Sequence, residues 1–178
     1  AKDNATSETT ILGTKTNNYT YTWIDGGIYE KIKEVTDSGI NKIDHRWAIP
    51  LTSGGESWVF WIEAKRELGA QGDDNFDFYY SKTGAFAGEE VKILTVTTTS
   101  SDVYYNYTFP VSLADTSTVY IRALDTNRNA TDDAGNEQDT LSIDRMYIAT
   151  TQPNSTYSSL THVWRIPSIT AGESSYSF

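Results

Sequence analysis

Two stretches of the sequence concentrate the oxygen-bearing side chains that a hard cation such as Ca²⁺ prefers. Asp73 and Asp74 stand just before a strand-like segment, and the polar loop at 125–139 is dense in Asp and Asn. Calcium takes about six to eight oxygen ligands, and crowded carboxylates repel one another unless a cation neutralises them. The sequence therefore predicts a structural calcium site that fixes this loop, although a solvated acidic loop is the alternative. The predicted ligands are Asp73, Asp74, Asp125, Asn127 and Asp139.

Aromatic side chains offer a second kind of site. The most apolar segment runs from 57 to 64 and carries Trp58 and Trp61. Flat aromatic faces match the apolar faces of pyranose rings, so these two tryptophans are candidates for glycan stacking. The alternative is that they pack in the core, as most aromatic residues in alternating strands do.

Catalytic patterns are absent from the sequence. It has two histidines, His45 and His162, and no nucleophile elbow, zinc-protease motif or phosphate loop. The two histidines are equivalent positions of a repeat, which favours a packing role over a catalytic one. We therefore predict that the chain is not an enzyme.

The repeat joins a central stretch to the end of the chain. The residues from His45 to Pro50, followed by Gly55-Glu56-Ser57, recur at an offset of 117 residues as His162 to Pro167 and Gly172-Glu173-Ser174. A period of this size fits one whole β-domain. The expected organisation is an N-terminal arm at 1–17, a β-sandwich at 18–150, and a linker with a truncated repeat of the 45–61 strands at 151–178.

Composition limits the classes of partner. The chain has 178 residues, 24 acidic against 14 basic side chains and a net charge of −10. Without clustered Lys and Arg, nucleic acid is not an expected partner. No apolar run is long enough to span a bilayer, and cysteine is absent. The first residues resemble those of a processed mature protein.

The content of Thr, Ser and Tyr is typical of an extracellular β-protein, so we predict an extracellular or cell-surface location. Five N-x-S/T sequons add the prediction of glycosylation. These sequons lie at Asn4, Asn18, Asn106, Asn129 and Asn154.

The elements that must hold these sites are short strands. Roughly ten segments of alternating or β-branched residues are separated by turn signals, among them an alternating aromatic run at 18–24. This pattern predicts an all-β fold: an antiparallel β-sandwich, jelly-roll-like, with terminal segments available for strand exchange.

Three blocks of the sequence carry a family resemblance. Asp73-Asp74-x-Phe76-x-Phe78 and Asp139-Thr140-Leu141-x-Ile143-Asp144, together with Tyr29-Glu30-x-Ile32-x-Glu34, resemble a carbohydrate-binding-like β-sandwich module. Such modules recur in tandem in secreted bacterial and archaeal surface proteins. The resemblance covers about residues 18–150 and implies a fold and an extracellular setting more than an activity.

Two functions follow from these features. The first is a structural subunit of an extracellular filament or surface layer, a homopolymer assembled by adding a terminal strand to the sheet edge of another copy. The alternative is a carbohydrate-binding accessory module of a secreted protein, with surface glycans as partners. The predicted assembly residues are Trp164, Ile166, Tyr176 and Phe178 at the C-terminus, and Ile11 and Leu12 at the N-terminus.

Overall fold

The computed structural model describes residues 2–52, 57–69, 74–110, 113, 116–126 and 138–151. Within these ranges the chain forms β-strands and a 3₁₀ turn, Tyr19–Trp23. The strands are β1 (Lys2–Asp3), β2 (Ser7–Leu12), β3 (Thr14–Thr16), β4 (Glu30–Lys33), β5 (Val35–Asp37), β6 (Ile40–Lys42), β7 (Asp44–Pro50), β8 (Ser57–Glu67), β9 (Phe76–Ser81), β10 (Val91–Val96), β11 (Val103–Thr108), β12 (Thr118–Asp125) and β13 (Thr140–Thr151).

The strands form two main sheets. One has the order β11-β8-β13-β4-β3, with β1 also paired to β13, and the other has the order β10-β9-β12-β7-β2. A small ribbon of β5 and β6 is separate, and all of these pairs are antiparallel. The predicted antiparallel, jelly-roll-like β-sandwich is confirmed.

Period-two alternation explains why the sheets face each other. In β8 the side chains of Trp58, Phe60 and Ile62 are buried, while the residues between them are only partly buried. Because successive side chains of a strand point to opposite faces, one face of β8 enters the core and the other is left outside. The opposing sheet supplies Trp47 and Phe78, whose rings are stacked with centroids 6.0 Å apart.

The N-terminal residues differ from the predicted arm. Strands β1, β2 and β3 all belong to the two main sheets, and β2 pairs with β7 of its own chain. Ile11 is 52% exposed at a register shift in β2, and Leu12 is half-buried opposite Asp44. One hydrogen-bonding edge of this segment is therefore already used within the molecule, so Ile11 and Leu12 are part of a strand of their own sheet and not of a free arm.

The run at 18–24 is a 3₁₀ turn and not the predicted strand. The Oδ1 atom of Asn18 accepts a hydrogen bond from the Thr20 amide at 3.0 Å, which caps the turn. Thr22 then donates its hydroxyl to the Tyr19 carbonyl at 2.8 Å. These local bonds compete with the hydrogen bonds of a β-sheet, which is why the alternating aromatic residues wrongly predict a strand here.

Two further observations concern the ends of the chain and the membrane. The predicted assembly residues Trp164, Ile166, Tyr176 and Phe178, with the rest of 152–178, lie outside the described residues. Among the described residues, none belongs to a helix with the length and apolar character needed to cross a membrane.

Candidate functional site

The outer face of the six-stranded sheet presents one row of side chains across three neighbouring strands. Trp61 of β8 is the register partner of Asn106 in β11 and of Tyr147 in β13. Directly opposed residues of an antiparallel pair lie on the same face. Trp61 and Tyr147 are half-buried and Asn106 is exposed. We call Asn106, Trp61 and Tyr147 the aromatic row.

A second row of polar side chains runs beside the first. Two positions along the strands, Glu63 is the partner of both Tyr104 and Arg145. A hydrogen bond to Glu63 raises the pKa of the Tyr104 hydroxyl to about 12, because ionisation would place two negative charges together. Tyr104 nevertheless remains 43% exposed. This part of the face therefore offers a phenol, a carboxylate and a guanidinium next to the aromatic row.

Carboxylates cluster at the same end of this face. One oxygen from each of Asp25, Glu63 and Asp144 lies within 4.8 Å of the others. Asp144 accepts a hydrogen bond from the Gly27 amide at 2.9 Å, and its burial raises its pKa. Gly27 has a φ of 68°, a conformation that glycine adopts without strain. The turn before β4 is thereby held close to the sheet.

Tyr29 marks the boundary of the open part of the face. Its hydroxyl donates to Asp102 at 2.9 Å, and the Lys65 ammonium lies 4.5 Å from its ring centroid. Burial, with the nearby charge of Asp102, raises the pKa of Tyr29 to about 12. Its ring thus lies across the sheet between Asp102 and Lys65, and the aromatic row remains beyond it.

The two tryptophans that were predicted to stack on a glycan lie on opposite faces of β8. Trp61 lies in the aromatic row, but Trp58 is 4% exposed and belongs to the hydrophobic core. Since neighbouring residues of a strand face opposite sides and these two are three positions apart, Trp58 points inward whereas Trp61 points outward. The prediction that Trp58 stacks on a glycan is wrong. Tyr147 and Asn106 were missed because only the strand register places them beside Trp61.

A second site is a buried group of acids where three chain segments meet. Glu34 follows β4, Asp74 precedes β9 and Asp139 precedes β13, and one oxygen from each lies within 4.8 Å of the others. The Asp139 amide donates to Glu34 Oε2 at 2.7 Å, and the Asp74 amide donates to Asp139 Oδ2 at 3.0 Å. We call Glu34, Asp74 and Asp139 the acid cluster.

Electrostatic crowding distinguishes the acid cluster from a solvated loop. Glu34 is 1% exposed, and its Oε1 atom has no hydrogen-bond partner. Burial raises the pKa of Glu34 to about 8, and the nearby charges of Asp74, Asp139 and Asp125 add to the effect. A buried carboxylate with one oxygen left without a hydrogen bond is costly, and a divalent cation would offset that cost. The donor set, oxygen only, fits calcium.

Two predicted calcium ligands, Asp74 and Asp139, are therefore brought together. Asp125 is near enough to affect Glu34, although its Oδ1 atom accepts the Ile43 amide at 2.9 Å. Asp73 and Asn127 lie outside the described residues. Glu34 was missed, but it could have been found, because Glu30 and Glu34 alternate in phase with buried Ile32.

Three predicted glycosylation sites fall in the described ranges. Asn4 is half-buried, whereas Asn18 and Asn106 are exposed. Asn129 and Asn154 lie outside those ranges. Of these three, Asn106 belongs to the aromatic row, so a modification there would affect the face described above.

No family model and no curated protein sequence matches the chain. Solved structures do match. The xylan-binding module CBM15 aligns at 13% identity and a TM-score of 0.49, over 85% of this chain and 90% of that one. TmCBM61 in complex with β-1,4-galactotriose aligns at 15% identity and a TM-score of 0.45, over 82% and 88%. A mutant of a family 29 carbohydrate-binding module aligns at 12% identity and 0.43, over 84% and 86%.

These matches are carbohydrate-binding-module β-sandwiches, and the chain is similar to them in architecture. They do not support a filament or surface-layer subunit. The N-terminal segment that was expected to exchange is also paired within its own chain. The prediction of a homopolymer built by strand exchange is therefore wrong.

Proposed function

We propose that this chain is a non-catalytic carbohydrate-binding module and that the aromatic row is its glycan site. The observation that carries the proposal is the placement of Trp61 between Asn106 and Tyr147 on one solvent-facing surface. As the resemblance implies, the module belongs to a secreted, tandemly repeated protein of the cell surface or extracellular space.

The shape and chemistry of the row suit a sugar chain. Adjacent strands are about 4.8 Å apart, so the row spans about 10 Å, roughly the length of two linked sugar rings. Indole and phenol rings supply apolar contact area, while the Asn106 amide and the Glu63 carboxylate can bond to hydroxyl groups. Because sugars carry both a C–H face and hydroxyl edges, this mixture recognises them better than an apolar row alone.

The test of this function is retention of the intact chain on polysaccharides. In affinity electrophoresis through gels with dissolved xylan, galactan, mannan or β-glucan, we expect retarded migration in at least one gel. Bovine serum albumin in the same gels controls for viscosity. Unchanged migration in every gel, together with no heat of binding to soluble oligosaccharides of these polymers, would contradict the proposal.

Glycosylation remains a proposal at the five sequons, and it conflicts with glycan binding at one of them. A sugar attached to Asn106 would lie beside Trp61 and occupy the aromatic row. We therefore expect the native protein to carry no modification at Asn106, even where Asn18 is modified. Peptide mass spectrometry measures occupancy at each site. Full occupancy at Asn106 in protein that still binds polysaccharide would show that the glycan site is elsewhere.

We also propose that the acid cluster holds one structural Ca²⁺. Glu34, Asp74 and Asp139 would supply oxygen ligands, with Asp125 close by. The ion would neutralise the buried carboxylates and tie the segments before β9 and β13 to the end of β4. Its role would be to stabilise the sandwich and not to contact the sugar, because the aromatic row is on an exposed face and the cluster is buried.

A further inference from the structure

A third group of titratable side chains joins the two sheets and is separate from both sites above. Glu8 lies on β2, Glu30 on β4 and His45 on β7, and one donor atom from each lies within 4.8 Å of the others. The His45 Nε2 atom is 3.4 Å from Glu8 Oε2 and also 3.4 Å from Glu30 Oε1. Strands of both sheets thus direct their donors to one point.

The donors at this point are deeply buried. His45 and Glu30 are both 0% exposed, and neither His45 Nε2 nor Glu30 Oε1 has a hydrogen-bond partner. Burial raises the pKa of Glu30 to about 7, although His45 opposes this shift. Groups of this kind are costly to bury unless something compensates them. The structure therefore places an imidazole nitrogen and a carboxylate oxygen opposite each other at 3.4 Å, each without a hydrogen bond.

The separations indicate what fits between them. A nitrogen-to-oxygen hydrogen bond is normally about 2.7 to 3.2 Å, so 3.4 Å is long for direct bonding. Ligand atoms bound tetrahedrally to zinc at about 2.0 to 2.1 Å are about 3.3 to 3.4 Å from each other. The two distances from His45 Nε2 to the glutamates, 3.4 Å each, are close to two edges of such a tetrahedron.

The surrounding contacts orient the donors as a metal site requires. The Thr10 hydroxyl is 2.8 Å from His45 Nδ1, a hydrogen bond that fixes the ring with Nε2 turned toward the glutamates. Trp47 Nε1 donates to Glu30 Oε2 at 3.0 Å, which leaves Oε1 facing His45. A ligating histidine usually has its second nitrogen fixed by such a bond, and ligating carboxylates are held in the same way.

We propose that Glu8, Glu30 and His45 bind one divalent cation of the zinc class, which ties β2 and β7 of one sheet to β4 of the other. An imidazole with two carboxylates suits zinc, whereas calcium prefers oxygen donors alone. The site therefore differs in ligand chemistry from the acid cluster. Because the three ligands come from three strands, zinc binding stabilises the folded chain over the unfolded one.

The test uses the full chain without an affinity tag. Protein is stripped with dipicolinate, loaded with Zn²⁺ or Co²⁺, dialysed and analysed for metal content. We expect one zinc per chain, visible absorption from bound cobalt, and a higher melting temperature with zinc. Co²⁺ absorption reports coordination itself, so a merely structural role of these residues would not produce it.

The chain supplies its own control histidine. The variant His45→Gln should lose zinc retention and the cobalt spectrum, whereas His162→Gln should keep both. Thr10→Val, which removes only the partner of Nδ1, should weaken cobalt binding about 10-fold to 100-fold. If His45→Gln does not fold, Glu8→Gln on the edge strand replaces it, with the same expected loss.

Two outcomes would overturn the proposal. One is protein that, after stripping, loading and dialysis, retains no zinc and shows no cobalt spectrum. A proton shared by His45 and the glutamates would then be the compensating charge. The other is equal zinc retention in the wild-type, His45→Gln and Glu8→Gln proteins, which would place the metal elsewhere. Calcium added at the same concentration should not displace zinc if the two sites are distinct.

Discussion

The variant Trp61→Ala is expected to lose most of the affinity of this chain for its polysaccharide. Trp61 is at the centre of the aromatic row, with a register partner on either side. Truncating a central aromatic contact in a binding site costs about 2 kcal/mol or more, and every 1.4 kcal/mol is about tenfold in the dissociation constant. We therefore expect at least about 30-fold weaker binding by isothermal titration calorimetry with a soluble oligosaccharide of the retained polymer.

The matched control for this variant is Tyr79→Ala. Tyr79 is also a half-buried aromatic residue, but it lies on β9, between Lys92 of β10 and Arg122 of β12 on the outer face of the other sheet. The Tyr79→Ala variant should bind the oligosaccharide with unchanged affinity. Melting temperatures of both variants exclude unfolding as the cause of any loss. Equal affinity in Trp61→Ala and wild-type protein would show that the aromatic row is not the glycan site.

Removal of calcium is expected to lower the melting temperature substantially. At a calcium concentration about a thousandfold above its dissociation constant, binding to the folded state alone contributes about 4 kcal/mol. For a chain of this size, that corresponds to about 8 to 16 °C. Differential scanning calorimetry with EGTA and with millimolar calcium measures the difference. Identical melting temperatures in both conditions would contradict a structural calcium site.

The variant Glu34→Gln separates the charge of the acid cluster from its packing. Gln has nearly the same shape, and its carbonyl oxygen can still accept the Asp139 amide, which bonds to Glu34 Oε2 in the wild type. Because Gln cannot ionise, the variant in EGTA should be at least as stable as the wild type in EGTA above about pH 8, where the Glu34 carboxylate is charged. Its melting temperature should no longer rise with calcium, whereas the control Asp102→Asn should respond as the wild type does.

The sequence predicts the β-sandwich well because its strongest signals are local. Alternation in Ser57–Glu67 and Asp44–Pro50 gives strands whose buried faces form the core. It fails for Ser7–Leu12, where the inward positions include Glu8 and Thr10. These polar residues face the buried His45, so hydrophobic periodicity cannot reveal that β2 belongs to a sheet.

The sites are less predictable because they depend on strand register. Trp58 and Trp61 are equally apolar in the sequence, and only the burial of Trp58 tells them apart. Asp74 and Asp139 were found because acidic loops stand out, whereas Glu34 comes from a distant segment that topology brings beside them. The repeated His45 and Trp47 are both buried, so both lie in the interior, as the repeat indicates.

The most direct test of glycan binding on the six-stranded sheet is an NMR titration of isotope-labelled protein with the oligosaccharide that it retains. The account predicts that the largest shifts belong to the indole N–H of Trp61, the side-chain amide of Asn106 and the backbone around Tyr147. Resonances of Trp47 and Trp58, which lie in the core, should move little. Shifts confined to Tyr79 and the other sheet, with Trp61 unmoved, would contradict the account.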